Sequence, residues 1–178
     1  MHLFEKTLAT ELIHDGKIIK VTKDTVELEN GQTALREVVH HNGGVCVVAV
    51  TDEDEIVFVK QYRYPFKEVT LEIPAGKLDV GEDHGVCGRR ELLEETAAVA
   101  SQFDYMGVMY PTTGYLTEKI HMYLARGLTF EEQKLDEDEF LDVFKIPFEK
   151  AIEMIMNNEI PDAKTQVAVL KAARLLNR

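Results

Sequence analysis

The stretch Gly76-Lys77-Leu78-Asp79-Val80-Gly81-Glu82, followed after Asp83 to Arg89 by Arg90-Glu91-Leu92-Leu93-Glu94-Glu95, decides how the rest of this chain is read. Good helix formers without period-two alternation run from Glu82 to Ala98, so a glycine-bracketed loop opens into a helix. On that helix Glu91, Glu94 and Glu95 stand at i, i+3 and i+4, and three carboxylates share one face. Each like-charged pair costs about 0.2–0.5 kcal/mol in water, and more once desolvated, so such a face makes best sense around a divalent cation. Taken alone, the glutamates describe a solvated helix face. Gly76 and Gly81, which let backbone approach a ligand, and Arg90, which can tie Glu82 or a helical carboxylate, argue for a site. Magnesium suits it, because that ion takes oxygen ligands, keeps several waters and bridges to phosphates.

Outward from this segment the chain reads as strands followed by helices. Val69, Leu71 and Ile73 alternate toward Pro74-Ala75-Gly76, a strand that enters the loop. Upstream, Gly44 to Val50 is continuously apolar, as a strand covered on both faces would be. Beyond the charged turn Thr51 to Glu55, a strand from Ile56 to Arg63 is expected to pair with it centrally in a sheet. Lys17 to Thr22, Thr25 to Glu29 and Leu35 to His40 read as N-terminal antiparallel strands, with Asn30-Gly31 as a hairpin turn. Downstream, Phe103 to Tyr110, Lys119 to Arg126 and Phe140 to Ile146 are further strands. Two helices close the chain: one follows Pro147 with Phe148, Ile152 and Ile155 on a face, and one starts near Asp162 and carries Val167 and Leu170. The fold class is α/β (α+β): a mixed β-sheet sandwiched between helices, with an N-terminal antiparallel strand region.

Composition narrows the function. With 178 residues, 45% of them hydrophobic and 29% charged, the chain suits one globular domain. A formal charge of −12 and a pI near 4.9 repel nucleic-acid phosphates, and no Lys/Arg run counters that field. A small anionic substrate then needs a cation at the acidic site, which the carboxylate face supplies. Cys46 and Cys87 lack CxxC spacing and read as buried free thiols. The N-terminus has no basic segment leading a long apolar one, and the longest apolar run, Val45 to Val50, is too short to span a bilayer. A soluble, cytoplasmic protein without membrane or nucleic-acid partners is expected. Neither Asp52 to Glu55 nor Asp136 to Glu139 has the glycine and glutamate an EF-hand requires.

The central segment resembles the Nudix box, G-x5-E-x7-R-E-U-x-E-E-x-G-U with U aliphatic. Gly76, Glu82, Arg90, Glu91, Leu92, Glu94 and Glu95 fall on its positions at its spacing. The box's late glycine is Ala97 here and its last aliphatic position is Ala98, so the helix either runs on past this point or holds Ala97 under strain. Outside the box the resemblance, over roughly residues 35 to 170, is to the ADP-ribose pyrophosphatase branch. Arg36-Glu37-Val38-Val39, Gln61-Tyr62-Arg63, Thr70 to Gly76 and Tyr110 to Tyr115 with Glu118 carry it. Thr113 departs from it, since many ADP-ribose enzymes have proline there, which keeps GDP-mannose and other nucleotide sugars open.

This resemblance implies a Nudix fold and magnesium-dependent hydrolysis, with manganese as a substitute, of a nucleoside diphosphate sugar, foremost ADP-ribose to AMP and ribose 5-phosphate. Glu91 and Glu95 would be the principal metal ligands, assisted by Glu94, Glu82 and the Ala75 carbonyl. Arg90 would orient the carboxylates and counts with Glu94 among the catalytic residues. Arg36, Arg63 and Glu118 would bind substrate; guanidinium forks suit a diphosphate or a stacked base. A homodimer is implied too, residues 1–40 forming a dimer-contacting hairpin region of the same domain and 41–178 the Nudix hydrolase domain. A Nudix-fold nucleotide sensor that does not cut is the non-enzymatic alternative, against which the retained glutamates argue. The general base is expected in the acidic loop Asp136 to Glu139, at Glu139 first and Glu137 second. Glu139→Gln should lower turnover by about 10²- to 10⁴-fold with little change in metal affinity; near-normal turnover would remove Glu139 from that role.

Overall fold

In the computed structural model of the protein, residues 3–135 and 140–178 are described. The chain divides into two compact units, one comprising Met1–Gly43 and Tyr110–Lys119, the other Gly44–Met109 and Ile120–Arg178.

The first unit is an antiparallel sheet of β1 (Lys6–Asp15), β2 (Lys20–Glu27) and β3 (Thr33–His40), in that order. The Asn30-Gly31 turn closes the second hairpin, with the Gly31 amide donating to the Leu28 carbonyl over 2.9 Å. The two short strands expected between Lys17 and Glu29 are one, β2. Strand β1 was not legible in the sequence: all ten of its residues are exposed, and irregularities at Thr7/Ala9 and Leu12/His14 break the alternation that would have marked it. The Tyr110–Lys119 segment joins this unit through a bridge beside Val39, whose amide donates to Tyr115 over 2.7 Å.

The second unit contains β4 (Gly44–Ala49), β5 (Glu55–Arg63), β6 (Glu68–Glu72), β7 (Ala75–Lys77), α1 (His84–Thr96), β8 (Ala98–Met109), β9 (Ile120–Phe130), β10 (Leu141–Pro147), α2 (Phe148–Met156) and α3 (Ala163–Leu175). One sheet has the order β7-β4-β9-β8 and is mixed, since β4 and β9 run parallel; the other is antiparallel, β10-β5-β6. The expected central pairing of β4 with β5 is therefore corrected. Each is interior in its own sheet, and the two are not ladder neighbours; the isolated bridge Val50↔Ile56 lies at the turn between them. Apolar runs without a polar phase announce burial on both faces but carry no information about which strand lies alongside.

That double burial is explicit in β4 and in Val50, the residue that follows it. Val45, Val47 and Ala49 pack with Cys87 and Leu92 of α1, whereas Cys46, Val48 and Val50 pack with Phe148, Ala151 and Ile155 of α2 and Ala168, Val169 and Ala172 of α3. Each buried valine contributes roughly 1.5–3 kcal/mol, so one strand clamps helices to both sides of the sheet. Both cysteines are free and buried, and burial pushes each thiol up to about 12. Asp162 caps α3 by accepting from the Thr165 amide. The buried stripe of α3 is Thr165, Ala168, Val169, Ala172 and Ala173, leaving Val167 and Leu170 partly in solvent, because small side chains let the helix lie close to the sheet. Among the described residues no helix is long and apolar enough to cross a membrane.

Helix α1 is shorter than the expected Glu82 to Ala98. Asp83 caps it, accepting from the Gly85 and Val86 amides at 2.9 and 3.0 Å. Ala97 ends it in the left-handed region, φ 60° and ψ 8°, with its amide donating to Leu93 over 2.8 Å. Strain at Ala97, rather than helix extension, is thus the outcome of the missing glycine. Ala97→Gly should stabilise the protein by about 1 kcal/mol, read as a higher urea midpoint at unchanged slope; a lower midpoint would show that the Cβ contributes packing that outweighs the strain.

Candidate active site

The loop and α1 converge on Arg90. Its Nη1 donates to Glu91 Oε1 at 2.9 Å and Glu94 Oε2 at 2.8 Å, while Nε and Nη2 reach the two oxygens of Glu82 at 3.2 and 3.3 Å. Burial works against the charge of this guanidinium, but Glu82, Glu91 and Glu94 outweigh it and hold Arg90 well above its ordinary range. In turn, the hydrogen bond from Arg90 keeps Glu82 below the usual carboxylate range, helped by the Asp79 amide. Glu95, buried at 2% exposure, accepts from the Ala75 amide at 3.0 Å, which fixes the C-terminal end of the acidic face against β7.

Gly76 is required by contact rather than by backbone angle. A Cβ built there would lie 1.8 Å from Cδ of Glu91, so only glycine lets that carboxylate lie against the strand. Gly81, at φ 82°, supplies the left-handed turn that sends the chain back toward the helix. At the far end of α1, the Glu131 amide donates to Ala97 at 2.8 Å, the Lys134 amide to Glu94 at 3.2 Å, and the Gln133 side chain to the Glu95 carbonyl. These bonds satisfy carbonyls that a helix end leaves open, and they tie the segment preceding the acidic loop to the helix that carries the glutamates. Nothing in the sequence reading pointed to Gln133.

Beside this cluster lies a second ionic group. Arg63, at the end of β5, donates from Nε and Nη2 to Glu72 Oε1 and Oε2 at 2.7 and 2.6 Å. Lys164 of α3 also bonds Glu72, and its Nζ lies 3.0 Å from Asp162. Burial pushes the Glu72 carboxyl up, but Arg63, Lys164 and Thr70 outweigh it and hold it at about 2. Arg63 is raised above its ordinary value by the hydrogen bond to Glu72 against burial, with Asp162 and Glu95 adding weaker attraction. The sequence reading missed Glu72 and Lys164. Thr70 and Glu72 lie on the polar phase of β6 yet are buried, while Val69 on the apolar phase is 62% exposed, so alternation did not mark them as interior.

The structure thus brings Ala75, Glu82, Arg90, Glu91, Glu94 and Glu95 together. Arg36 and Glu118 belong to the other unit, where Arg36 bonds Glu5 at 2.9 and 2.5 Å and Glu118 lies 3.4 Å from His41 Nδ1. Glu137 and Glu139 lie outside the described residues. Among the described residues no three His, Cys, Asp or Glu side chains are grouped so as to hold a metal ion as they stand; Arg90 is the cation that the carboxylates of Glu82, Glu91 and Glu94 share. The donor set nevertheless fits a hard cation. It consists of carboxylate oxygens from one helix face and, at Glu82, from the loop before it, with no sulfur or imidazole among them, against a strand where Gly76 leaves room for Glu91.

Residues 40–168 match the NUDIX domain family, and residues 5–39 match the nucleoside diphosphate sugar hydrolase N-terminal domain. The chain belongs to the Nudix family. It is 45% identical over 167 residues to the methanol dehydrogenase activator of Bacillus methanolicus, covering 93% of this chain and 90% of that one. It is 43% identical over 169 residues to the ADP-ribose pyrophosphatase of Bacillus subtilis, covering 94% and 91%. A crystal structure of an ADP compounds hydrolase shares the fold, with a TM-score of 0.88 at 21% identity, over 97% of this chain and 94% of that one. Mixed sheet, flanking helices and N-terminal antiparallel strands are as the sequence led us to expect.

Gly76→Ala should displace Glu91 and raise the magnesium concentration needed for half-maximal turnover roughly 10- to 100-fold. An unchanged magnesium requirement would take Glu91 out of the ligand set.

Proposed function

We propose that this protein hydrolyses the pyrophosphate bond of ADP-ribose, giving AMP and ribose 5-phosphate, in a divalent-metal-dependent reaction. The observation that carries the reading is the gathering of Glu82, Glu91 and Glu94 on Arg90, with Glu95 fixed beside them by the Ala75 amide. The match to an ADP-ribose pyrophosphatase across almost the whole of both chains supports the choice of substrate.

Glu91 and Glu95 would be the principal holders of the cation, with Glu94, Glu82 and the Ala75 carbonyl completing the set; magnesium is the ion proposed and manganese its substitute. A cation held there would supply polarisation of phosphoryl oxygens and neutralisation of charge on the leaving phosphate. The residues of the chain do the remaining work. Arg90 orients the carboxylates and offsets their mutual repulsion, so that like charges stay on one face at modest cost. Arg63 is proposed to bind the nucleotide sugar; for Arg36 and Glu118 that role rests on the resemblance to the ADP-ribose pyrophosphatase branch. Water attacks one phosphorus of the diphosphate, its proton passes to the acidic-loop base, Glu139, and the bond to the bridging oxygen breaks with its electron pair leaving on the second phosphate. No electrons are transferred between substrates and no covalent enzyme intermediate forms.

The protein is proposed to act in the cytoplasm as a homodimer built through residues 1–40. Leu8, Leu12 and Ile13 of β1 are each about half exposed, more apolar surface than one strand of a monomer ordinarily leaves to water.

Incubation with magnesium and, separately, ADP-ribose, GDP-mannose, a dinucleotide polyphosphate and a nucleoside triphosphate tests the reading by product analysis. AMP and ribose 5-phosphate in equal amounts from ADP-ribose, lost on adding excess EDTA, is the expected result. Faster cleavage of GDP-mannose would shift the substrate but keep the chemistry. Binding of ADP-ribose without cleavage of any compound would identify a sensor instead.

A further inference from the structure

Strand β6 buries polar side chains: Thr70 and Glu72 are buried, whereas Val69 is turned to solvent and Leu71 is only partly buried against the core. Replacing a buried ion pair by apolar residues of similar volume is often neutral or stabilising, so the fold alone gives little reason for a carboxylate at position 72. What Glu72 does in the structure is hold Arg63. Its two oxygens take the Nε and Nη2 edge of the guanidinium at 2.7 and 2.6 Å, Thr70 Oγ1 adds a bond at 2.5 Å, and Lys164 bonds it from α3. Lys164 is anchored 3.0 Å from Asp162, the N-cap of that helix.

A guanidinium held along one edge has its plane and direction fixed, and its rotamer freedom is lost on folding rather than on binding. The Arg63 side chain is 39% exposed, and the bonds to Glu72 leave its Nη1 side for another acceptor. Thr70 and Lys164 limit movement of Glu72, which is itself only 3% exposed in its side chain. We propose that Glu72 is a positioning residue that aims Arg63 at the substrate diphosphate, with Lys164 and Thr70 holding Glu72 in register. This rests on the reading of Arg63 as a substrate-binding residue and extends it. It also gives α3, which supplies no expected site residue, a share in substrate binding through Lys164.

Steady-state kinetics on ADP-ribose for Arg63→Ala, Glu72→Gln and the double variant form the test. Arg63→Ala should raise KM ~30-fold and Glu72→Gln ~10-fold with kcat within ~2-fold, and the double variant should be no worse than Arg63→Ala, as for two residues acting as one unit. Glu72→Asp, which keeps the charge, should recover part of the lost KM. Additive effects, ~300-fold in KM for the double variant, would show that Glu72 acts independently of Arg63 and overturn the proposal. If Glu72→Gln fails to fold, Lys164→Gln enters the same cycle. A rise in KM that vanishes on the Arg63→Ala background is then expected, and one that persists there overturns it. A wild-type KM in Arg63→Ala, or a wild-type protein that leaves ADP-ribose intact, would instead refute the reading of Arg63 or of the reaction, and the inference with it.

Discussion

The guanidinium of Arg90 offsets the repulsion among carboxylates that a single helix face and its entry loop bring together. Glu82 arrives from the loop, Glu91 and Glu94 from the helix, and all three bond this one side chain. Without it, the first cost of folding would be to confine like charges in partly desolvated positions. With it, the loop is tied to the helix, so Gly76 and the start of β7 are carried to a defined place beside Glu91. The same bonds keep the acidic face ordered and leave its oxygen chemistry suited to a hard cation.

That arrangement needs a rigid base, and β4 provides it. One face of the strand receives Cys87 and Leu92 of α1, and the other receives α2 and α3. The helix that presents the glutamates is thereby registered against the sheet by close packing, and a displacement of its face would open cavities on the opposite side of α1. Its C-terminal end is fixed by different means: the left-handed Ala97, the Ala75 amide on Glu95, and main-chain bonds from Glu131 and Lys134. Position 97 keeps the conformation although its residue is not glycine, because the strand that follows must leave the helix in one direction.

The group around Glu72 shows the same economy in another form. A buried carboxylate bonded by an arginine, a lysine and a threonine is expensive to assemble, and its partners come from β5, β6 and α3. Such a cluster joins elements far apart in sequence, and it points a partly exposed cation outward beside an acidic site.

Sequence alone determined the helix, its entry loop and the identity of the carboxylates, because these depend on spacing within one segment: i, i+3 and i+4 place Glu91, Glu94 and Glu95 on one face whatever surrounds them. It also determined that Gly44 to Val50 is covered on both sides, since no polar phase is present for water to meet. The partner of that strand was decided only in three dimensions. Ile56 to Arg63 is as apolar at its start as β9, and hydrophobic pattern does not distinguish a neighbour across a turn from one many residues away. The burial of Glu72 was decided in the same way: period-two alternation shows that a strand has two faces, and the distant Lys164, which bonds Glu72, gives its carboxylate a partner in the interior. Local periodicity fixes what each segment presents, whereas pairing, burial of charge and the choice of ionic partner are set by contacts between segments that the tertiary structure alone brings together.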